Sequence, residues 1–251
     1  MPQAGTMAQQ PSPSGPWHGR RIAITGAGGS LGTALSRALR QRGAEVIGLT
    51  HRPVPSGGGP QGPDRWVRWQ CGEEERLDPC LIEVDILVIN HGFNPQGDQD
   101  PETVNQALEI NALSSWRLMQ RYERIAADAP REQPRELWVN TSEAEIQPAV
   151  SPVYELSKRL IGQLVSLRGA QLSQAQRQCL CIRKLVLGPF RSDLNPIGVM
   201  SADFVAKQIL GQASLGSRLI IVTPNPLTYL LMPLNELGRR LYSRLFSRPD
   251  R

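Results

Sequence analysis

The sequence predicts an α/β fold, a single doubly wound domain with a central parallel sheet of about seven strands. Three observations carry this. Short β-branched runs alternate with stretches of helical spacing about seven times along the 251 residues, the signature of βαβ units with right-handed crossovers. One run, Asp85–Asn90 (DILVIN), is almost continuously apolar, as a central parallel strand covered on both faces must be. Glycines cluster at the first strand-to-helix junction, where open sheets of this kind bind ligands.

The elements follow in order. Arg21–Thr25 (RIAIT) reads as the first strand, and Leu31–Arg42 as a helix behind a glycine loop. Glu45–Thr50 (EVIGLT) is a second strand, followed by a Pro/Gly-rich surface loop over Pro53–Pro63 that has no periodicity. Trp66–Cys71 reads as a third strand. The short span from Cys71 to Asp85 leaves room for only a trimmed crossover helix. After the Asp85–Asn90 strand come a helix over Asn105–Ala127, a strand over Glu136–Thr141 and a long helix over Val153–Gln171. A strand at Leu180–Leu187, a helix at Ser201–Gln212 and a strand at Arg218–Thr223 complete the sheet. Residues 1–18 are expected to be a disordered tail, 19–225 the folded domain, and 226–251 an apolar and basic segment. That last segment would cover the cleft, a subunit interface or a membrane surface.

Composition removes several function classes. The chain is 40% hydrophobic, too apolar for a disordered protein, and no apolar stretch is long enough to span a bilayer. The net charge of +5 sits at the ends, with +2 in residues 1–21 and +3 in residues 235–251. The body between is neutral, which argues against nucleic-acid binding. The four cysteines do not form a disulfide framework, and the N-terminus lacks a targeting pattern; a cytoplasmic protein, with membrane contact open at the basic end, is the expectation. No His/Cys/Asp group has metal-ligand spacing, so no metal is expected.

Thr25-Gly26-Ala27-Gly28-Gly29-Ser30-Leu31-Gly32 joins the first strand to the first helix. Glycines here allow a tight turn and a close backbone approach to a pyrophosphate, whose charge the helix N-terminus attracts. The second strand ends in Thr50-His51-Arg52 without an acid. An acid there would hold a ribose 2′-hydroxyl; Arg52 instead suits a 2′-phosphate, so NADP(H) is favoured over NAD(H). In Tyr154-Glu155-Leu156-Ser157-Lys158 the tyrosine and lysine lie one helical turn apart. An ammonium beside the phenol would lower its pKa from near 10 toward neutrality. Thr141-Ser142 closes a strand upstream, at the sheet edge where ligands bind; Ser142 is favoured over Thr141 as the hydroxyl that meets substrate.

Taken together these residues resemble the short-chain dehydrogenase/reductases, from about Gly19 to Thr223. The carriers are TGxxGxxG (Thr25, Gly26, Gly29, Gly32), Asn90-His91-Gly92 in place of Asn-Ala-Gly, the tetrad Asn111, Ser142, Tyr154 and Lys158, and the segment Leu187–Ser192 (LGPFRS). Within that family, Asn140–Pro148 and Leu187–Gly198 look like a cyanobacterial subgroup labelled sterol desaturase-associated short-chain dehydrogenase. The resemblance implies a Rossmann-type dinucleotide domain. Gly26, Gly29, Ser30, Leu31, Gly32, His51, Arg52, Asn90, His91, Gly92, Gly188 and Ser192 would bind the cofactor, with Tyr154 and Lys158 reaching its ribose. It further implies carbonyl–alcohol interconversion by hydride transfer. Tyr154 would be the general acid/base, Ser142 would orient the oxygen, and Asn111 would hold a relay water.

The remaining residues take plainer readings. His91 packs beside the adenine rather than binding metal. Glu143 and Glu145 read as solvated loop residues, and Trp66, Trp69 and Trp116 as core or interface. The outer stripe Leu160, Leu164 and Leu167 of the long helix suggests, by the resemblance, a homodimer or homotetramer. The substrate is a small carbonyl or alcohol, lipophilic if the Leu227–Pro233 run faces it. A catalytically weak NADP-binding redox sensor, or a scaffold for a membrane partner, stands as the alternative. A sugar-nucleotide epimerase is set aside because too few residues follow Lys158 for a separate substrate lobe.

Overall fold

The structure is a computed structural model describing residues 15–54 and 62–246. Most of the Pro/Gly loop and the first part of the expected tail lie outside the described residues. Seven parallel strands form one sheet in the order β3-β2-β1-β4-β5-β6-β7. They are β1 (Arg21–Thr25), β2 (Glu45–Thr50), β3 (Arg65–Arg68), β4 (Ile86–Ile89), β5 (Arg135–Ser142), β6 (Leu180–Leu187) and β7 (Leu219–Val222). The chain winds outward from β1 in one direction, then crosses to β4 and winds in the other. The switch point lies between β1 and β4, where this topology opens a crevice at the strand ends.

Each face of the sheet has its own core. On one side α1 (Ser30–Arg40) and α7 (Ala202–Ser214) pack through Leu31, Leu35, Leu39, Val205 and Ile209. On the other, α4 (Ser114–Asp128) and α5 (Pro152–Gln171) supply Leu118, Met119, Tyr122, Ile161 and Val165. All four residues of β4 are buried, so this strand must be apolar on both sides, as its sequence is. The crossover after β3 is short as expected: a single 3-10 turn, Glu74–Leu77, leads into α2 (Asp78–Glu83). The remaining helices are α3 (Pro101–Leu108), α6 (Gln174–Cys179) and α8 (Pro226–Phe246). Among the described residues no helix is long and apolar enough to cross a membrane.

The structure corrects three expectations about elements. The folded body begins before Gly19. Trp17 is buried, with its ring edge-on to Trp138 at 5.4 Å between centroids. The helix read over Asn105–Ala127 is two helices, α3 and α4, joined by a π-helical turn at Glu109–Leu113. The C-terminal segment is one long helix, although it contains Pro233. Trp69 belongs to the core and Trp66 and Trp116 pack partly against it, as the sequence suggested.

Candidate active site

The glycine loop is built for a ligand that approaches the backbone. Gly26 has φ +63, a left-handed conformation, and a Cβ on it would lie 3.0 Å from the Cα of His91. A Cβ at Gly32 would lie 2.3 Å from the Gly26 carbonyl oxygen. Both positions therefore require glycine, and each keeps the loop pressed on the sheet. Gly29 caps α1 without a side-chain hydrogen bond, and the first turn carries no acid. The amides of Ser30, Leu31 and Gly32 thus open a helix whose first N–H groups lack intrahelical partners, an arrangement that attracts anions. This cradle fits a dinucleotide pyrophosphate. Ser30 also borders a cavity of about 570 Å³ whose far wall runs from Arg191 and Ser192 to Ala202. Two predicted contacts, Ser30 and Ser192, thereby come to one cleft. Tyr154 and Lys158 do not line this cavity.

Neighbouring groups complete the dinucleotide side. His51 and Arg52 are exposed at the end of β2, and the Arg52 amide donates to Thr50 Oγ1 at 3.1 Å. Among the described residues no carboxylate forms an ion pair with Arg52. The amides of Asn90 and His91 donate to Thr25 Oγ1 at 2.8 and 3.1 Å, tying the end of β4 to the glycine loop. His91 Nδ1 lies 2.8 Å from the same oxygen, and its ring stands edge-on to Trp69. Burial pushes the His91 pKa down to about 4, and the Lys158 charge pushes the same way. The ring is thus neutral, and its buried Nε2 has no hydrogen-bond partner. Gly188 needs to be glycine for packing, since a Cβ there would meet Thr223 Oγ1 at 2.4 Å. Near the adenine side, Glu74 was not singled out by sequence. Its buried carboxylate accepts from Arg117, Ser114 and the Gly72 amide. These bonds outweigh the effect of burial and hold its pKa at about 2.

The tetrad converges from three elements. Thr141 and Ser142, adjacent in β5, point to opposite faces as strand residues must. Thr141 Oγ1 donates to the Leu185 carbonyl at 3.1 Å, whereas the Ser142 hydroxyl is hydrogen-bonded to Tyr154 and accepts from the Ala144 amide at 3.2 Å. Asn111 sits in the π-helical turn, where the extra residue turns its side chain inward. Its Oδ1 accepts from the Phe93 amide at 2.7 Å, and its Nδ2 donates to the Phe93 carbonyl and to Ser157 Oγ, each at 2.8 Å. Gly92 lies between Asn111 and Lys158: a Cβ there would meet Asn111 Oδ1 at 3.2 Å and Lys158 Nζ at 3.8 Å. Lys158 Nζ donates to the Asn140 carbonyl at 3.4 Å and lies 5.7 Å from the centre of the Tyr154 ring. Asn140 and Ser157 are supporting residues that the sequence reading passed over. Ser157, the residue before the lysine, also donates to the Tyr154 carbonyl at 2.8 Å.

The electrostatics correct one expectation. Burial raises the Tyr154 pKa; the bond to Ser142 opposes this and the Glu143 charge adds to it. Lys158 does not draw the phenol toward ionisation here. Its own charge is destabilised by burial, which lowers its pKa to about 8 against a weaker opposing pull from Glu145. Helical spacing brings the two side chains together but does not aim the ammonium at the phenol oxygen.

The acids after Ser142 are a second correction, because neither is a solvated loop residue. Glu143 accepts from the hydroxyls of Thr223 and Thr228. Glu145 is buried in the 3-10 turn Glu143–Glu145, where its Oε2 accepts from Lys184 Nζ at 2.6 Å. The same ammonium donates to Glu236 Oε1 at 2.8 Å, Ser166 Oγ at 2.8 Å and the Gly162 carbonyl at 3.1 Å. Gly162 makes room for this cluster: a Cβ there would fall 2.0 Å from the Glu145 carboxylate.

With this geometry in place, comparison with known proteins is informative. A profile of the NAD dependent epimerase/dehydratase family matches residues 22–171. A curated relative, monoglucosyldiacylglycerol epimerase of Synechocystis sp., is 42% identical over 233 residues, which is 92% of this chain and 55% of that protein. The chain thus spans about half the length of that relative. Among solved structures, a short-chain dehydrogenase from Burkholderia cenocepacia in complex with NADP superposes with a TM-score of 0.71 at 18% identity, covering 92% of this chain and 99% of that one. One from Sphingobium yanoikuyae in complex with NADPH gives 0.72 at 16% identity, covering 92% and 98%. At such identity these two show the fold. The sequence reading set aside the sugar-nucleotide epimerases for want of a substrate lobe; the profile that matches is that of the wider epimerase/dehydratase family, and it ends at residue 171, before the residues on which that exclusion rested.

Proposed function

The chain belongs to the NAD-dependent epimerase/dehydratase family, within the short-chain dehydrogenase/reductases, and we propose that it epimerises a sugar hydroxyl of a glycolipid by NADP(H)-dependent oxidation and re-reduction. The observation that carries this reading is the convergence of Ser142, Tyr154, Lys158 and Asn111 at the carboxyl edge of the sheet, beside a glycine cradle. The name of the relative supplies the glycolipid. The carbonyl–alcohol interconversion expected from the sequence becomes each half of the epimerisation.

Gly26, Gly29, Ser30, Leu31 and Gly32 would hold the cofactor pyrophosphate, and Arg52, beside His51, would hold the 2′-phosphate. Asn90, His91 and Gly92 would face the adenosine, and Gly188 and Ser192 the nicotinamide side. When bound, the nicotinamide supplies the hydride acceptor and donor. Tyr154 takes the proton of the substrate hydroxyl as the carbon becomes a ketone, and returns a proton to the same oxygen after the ketone has turned its other face. Ser142 hydrogen-bonds that oxygen in both directions. Lys158, with a pKa of about 8, passes charge and protons between Tyr154 and the Asn111 corner. A homodimer or homotetramer across the outer face of α5 is part of the same reading; of the expected stripe Leu160 is exposed, Leu167 is half-buried and Leu164 packs partly against the core.

The test is incubation with monoglucosyldiacylglycerol and NADP+ in D2O, with the product sugar read by NMR. The expected product is the epimer with hydrogen, not deuterium, at the inverted carbon. Tyr154→Phe should slow it roughly a thousand-fold. Deuterium at that carbon would overturn the oxidation and re-reduction route, and oxidation that stops at the ketone would overturn the epimerase reading itself.

A further inference from the structure

We propose that the outward face of α8 docks on an anionic lipid bilayer and brings the catalytic edge of the sheet to its surface. The proposal takes its purpose, though not its geometry, from the glycolipid reading above. A surface helix ordinarily turns its apolar stripe to the core. α8 does the reverse. It buries Thr228, Met232, Glu236 and Ser243, a mostly polar set. Its leucines Leu227, Leu230, Leu234, Leu237, Leu241 and Leu245 are all exposed, and at steps of three and four residues they line one side for roughly 27 Å.

The helix cannot roll over to bury them. Glu236 anchors the inner face, accepting from Lys184 Nζ at 2.8 Å and Ser166 Oγ at 2.5 Å. Rotation would take one of its two carboxylates from the buried Lys184 ammonium and drag Glu236 out of its own hydrogen bonds. The start of the helix is fixed too: Thr228 donates to Glu143 at 3.2 Å and accepts from Gln147 Nε2 at 2.7 Å. α8 therefore begins against the turn that follows Ser142.

Charge selects the occupant. From Pro226 to Phe246 the cations are Arg239, Arg240 and Arg244, and the one carboxylate, Glu236, faces inward. A second copy packed along the leucine seam would offer these arginines no acid to pair with in either orientation, since its own Glu236 also faces inward. Anionic headgroups complement the exposed Arg240 and the basic composition of this segment while the leucines enter the acyl boundary, the arrangement of an interfacial helix lying in the membrane plane. α8 is too short of continuous apolar length to cross, which leaves it parallel to the surface.

Flotation of the full chain with phosphatidylcholine vesicles, with and without phosphatidylglycerol, tests this. The chain should float with the anionic vesicles and be released by salt. The triple variant Leu234→Ser, Leu237→Ser, Leu241→Ser should bind them about ten-fold more weakly or worse, and Arg240→Gln should reduce the dependence on phosphatidylglycerol. The melting temperature and NADPH binding of these variants should match the parent, because every altered side chain is exposed. Failure of the parent to float overturns the proposal. So does a parent dimer that the leucine substitutions convert to monomer with no change at vesicles, which would assign the face to a second copy. Epimerisation of detergent-solubilised glycolipid without vesicle binding would sink this inference alone; vesicle binding without epimerisation would sink the functional reading alone.

Discussion

Two lysines lie deep in this molecule, Lys158 at 4% exposure and Lys184 at 5%, and their surroundings could hardly differ more. Lys184 has two carboxylates, a hydroxyl and a carbonyl within 3.1 Å. Those partners come from the Glu143–Glu145 turn, α5 and α8, so one ammonium on β6 ties the catalytic turn and the C-terminal helix to the sheet. Lys158 has one carbonyl at 3.4 Å and no carboxylate pair among the described residues. Burying a charge without a pair is costly, and a pKa of about 8 records that cost. The difference separates a charge that holds the fold from one that is poorly compensated, the condition in which the proposed role places it.

Substituting each lysine by methionine puts the contrast to its hardest test. Lys184→Met leaves Glu145 and Glu236 buried without their cation and should lower stability by about 3–5 kcal/mol. Lys158→Met removes a poorly compensated charge, so its urea midpoint should equal or exceed the parent's while turnover collapses. Equal destabilisation by both would erase the distinction. A smaller effect is expected at Gly162→Ala, where the new methyl group collides with the Glu145 carboxylate. It should cost about 1–3 kcal/mol, whereas Ala at Gly169, which meets nothing within 4 Å, should be tolerated.

The smallest effect is a pH dependence. With Lys158 near 8 in the fold and about 10.4 unfolded, the unfolded chain binds more protons across that interval. Stability of the cofactor-free chain should therefore rise with pH from 8 to 10. Chemical denaturation at a series of pH values should show this rise in the parent and a flatter profile in Lys158→Met. An identical slope in both proteins would mean that Lys158 is not the group responsible.

Much of this was legible in the sequence, for reasons that are local. β6 runs from Leu180 to Leu187 as read, because its apolar run is bounded by polar residues at the start and Gly188-Pro189 at the end. The glycine loop was legible because Gly26 and Gly32 meet steric demands set within a few residues. That Thr141 and Ser142 face opposite sides of the sheet followed from strand alternation. What escaped was set at a distance. Glu145 looks like a loop acid until Lys184, 39 positions on, is folded against it. The one local sign was Gly162, a glycine in the middle of a long helix, where only a close neighbour accounts for it. α8 was hidden by Pro233 and by an apolar face that points the wrong way for a core helix. The raised pKa of Tyr154 comes first from its burial, which is set by the tertiary fold and not by i,i+4 spacing.

Binding of NADP(H) in the glycine cradle, with its 2′-phosphate held by Arg52, underlies the function proposed above. Titration of NADPH and NADH by nicotinamide fluorescence, on the parent and on Arg52→Ala, tests it most directly. NADPH should bind at least about ten-fold tighter than NADH, and Arg52→Ala should bring the two together by weakening NADPH alone. Equal affinity for both cofactors in the parent, or no binding of either, would contradict it.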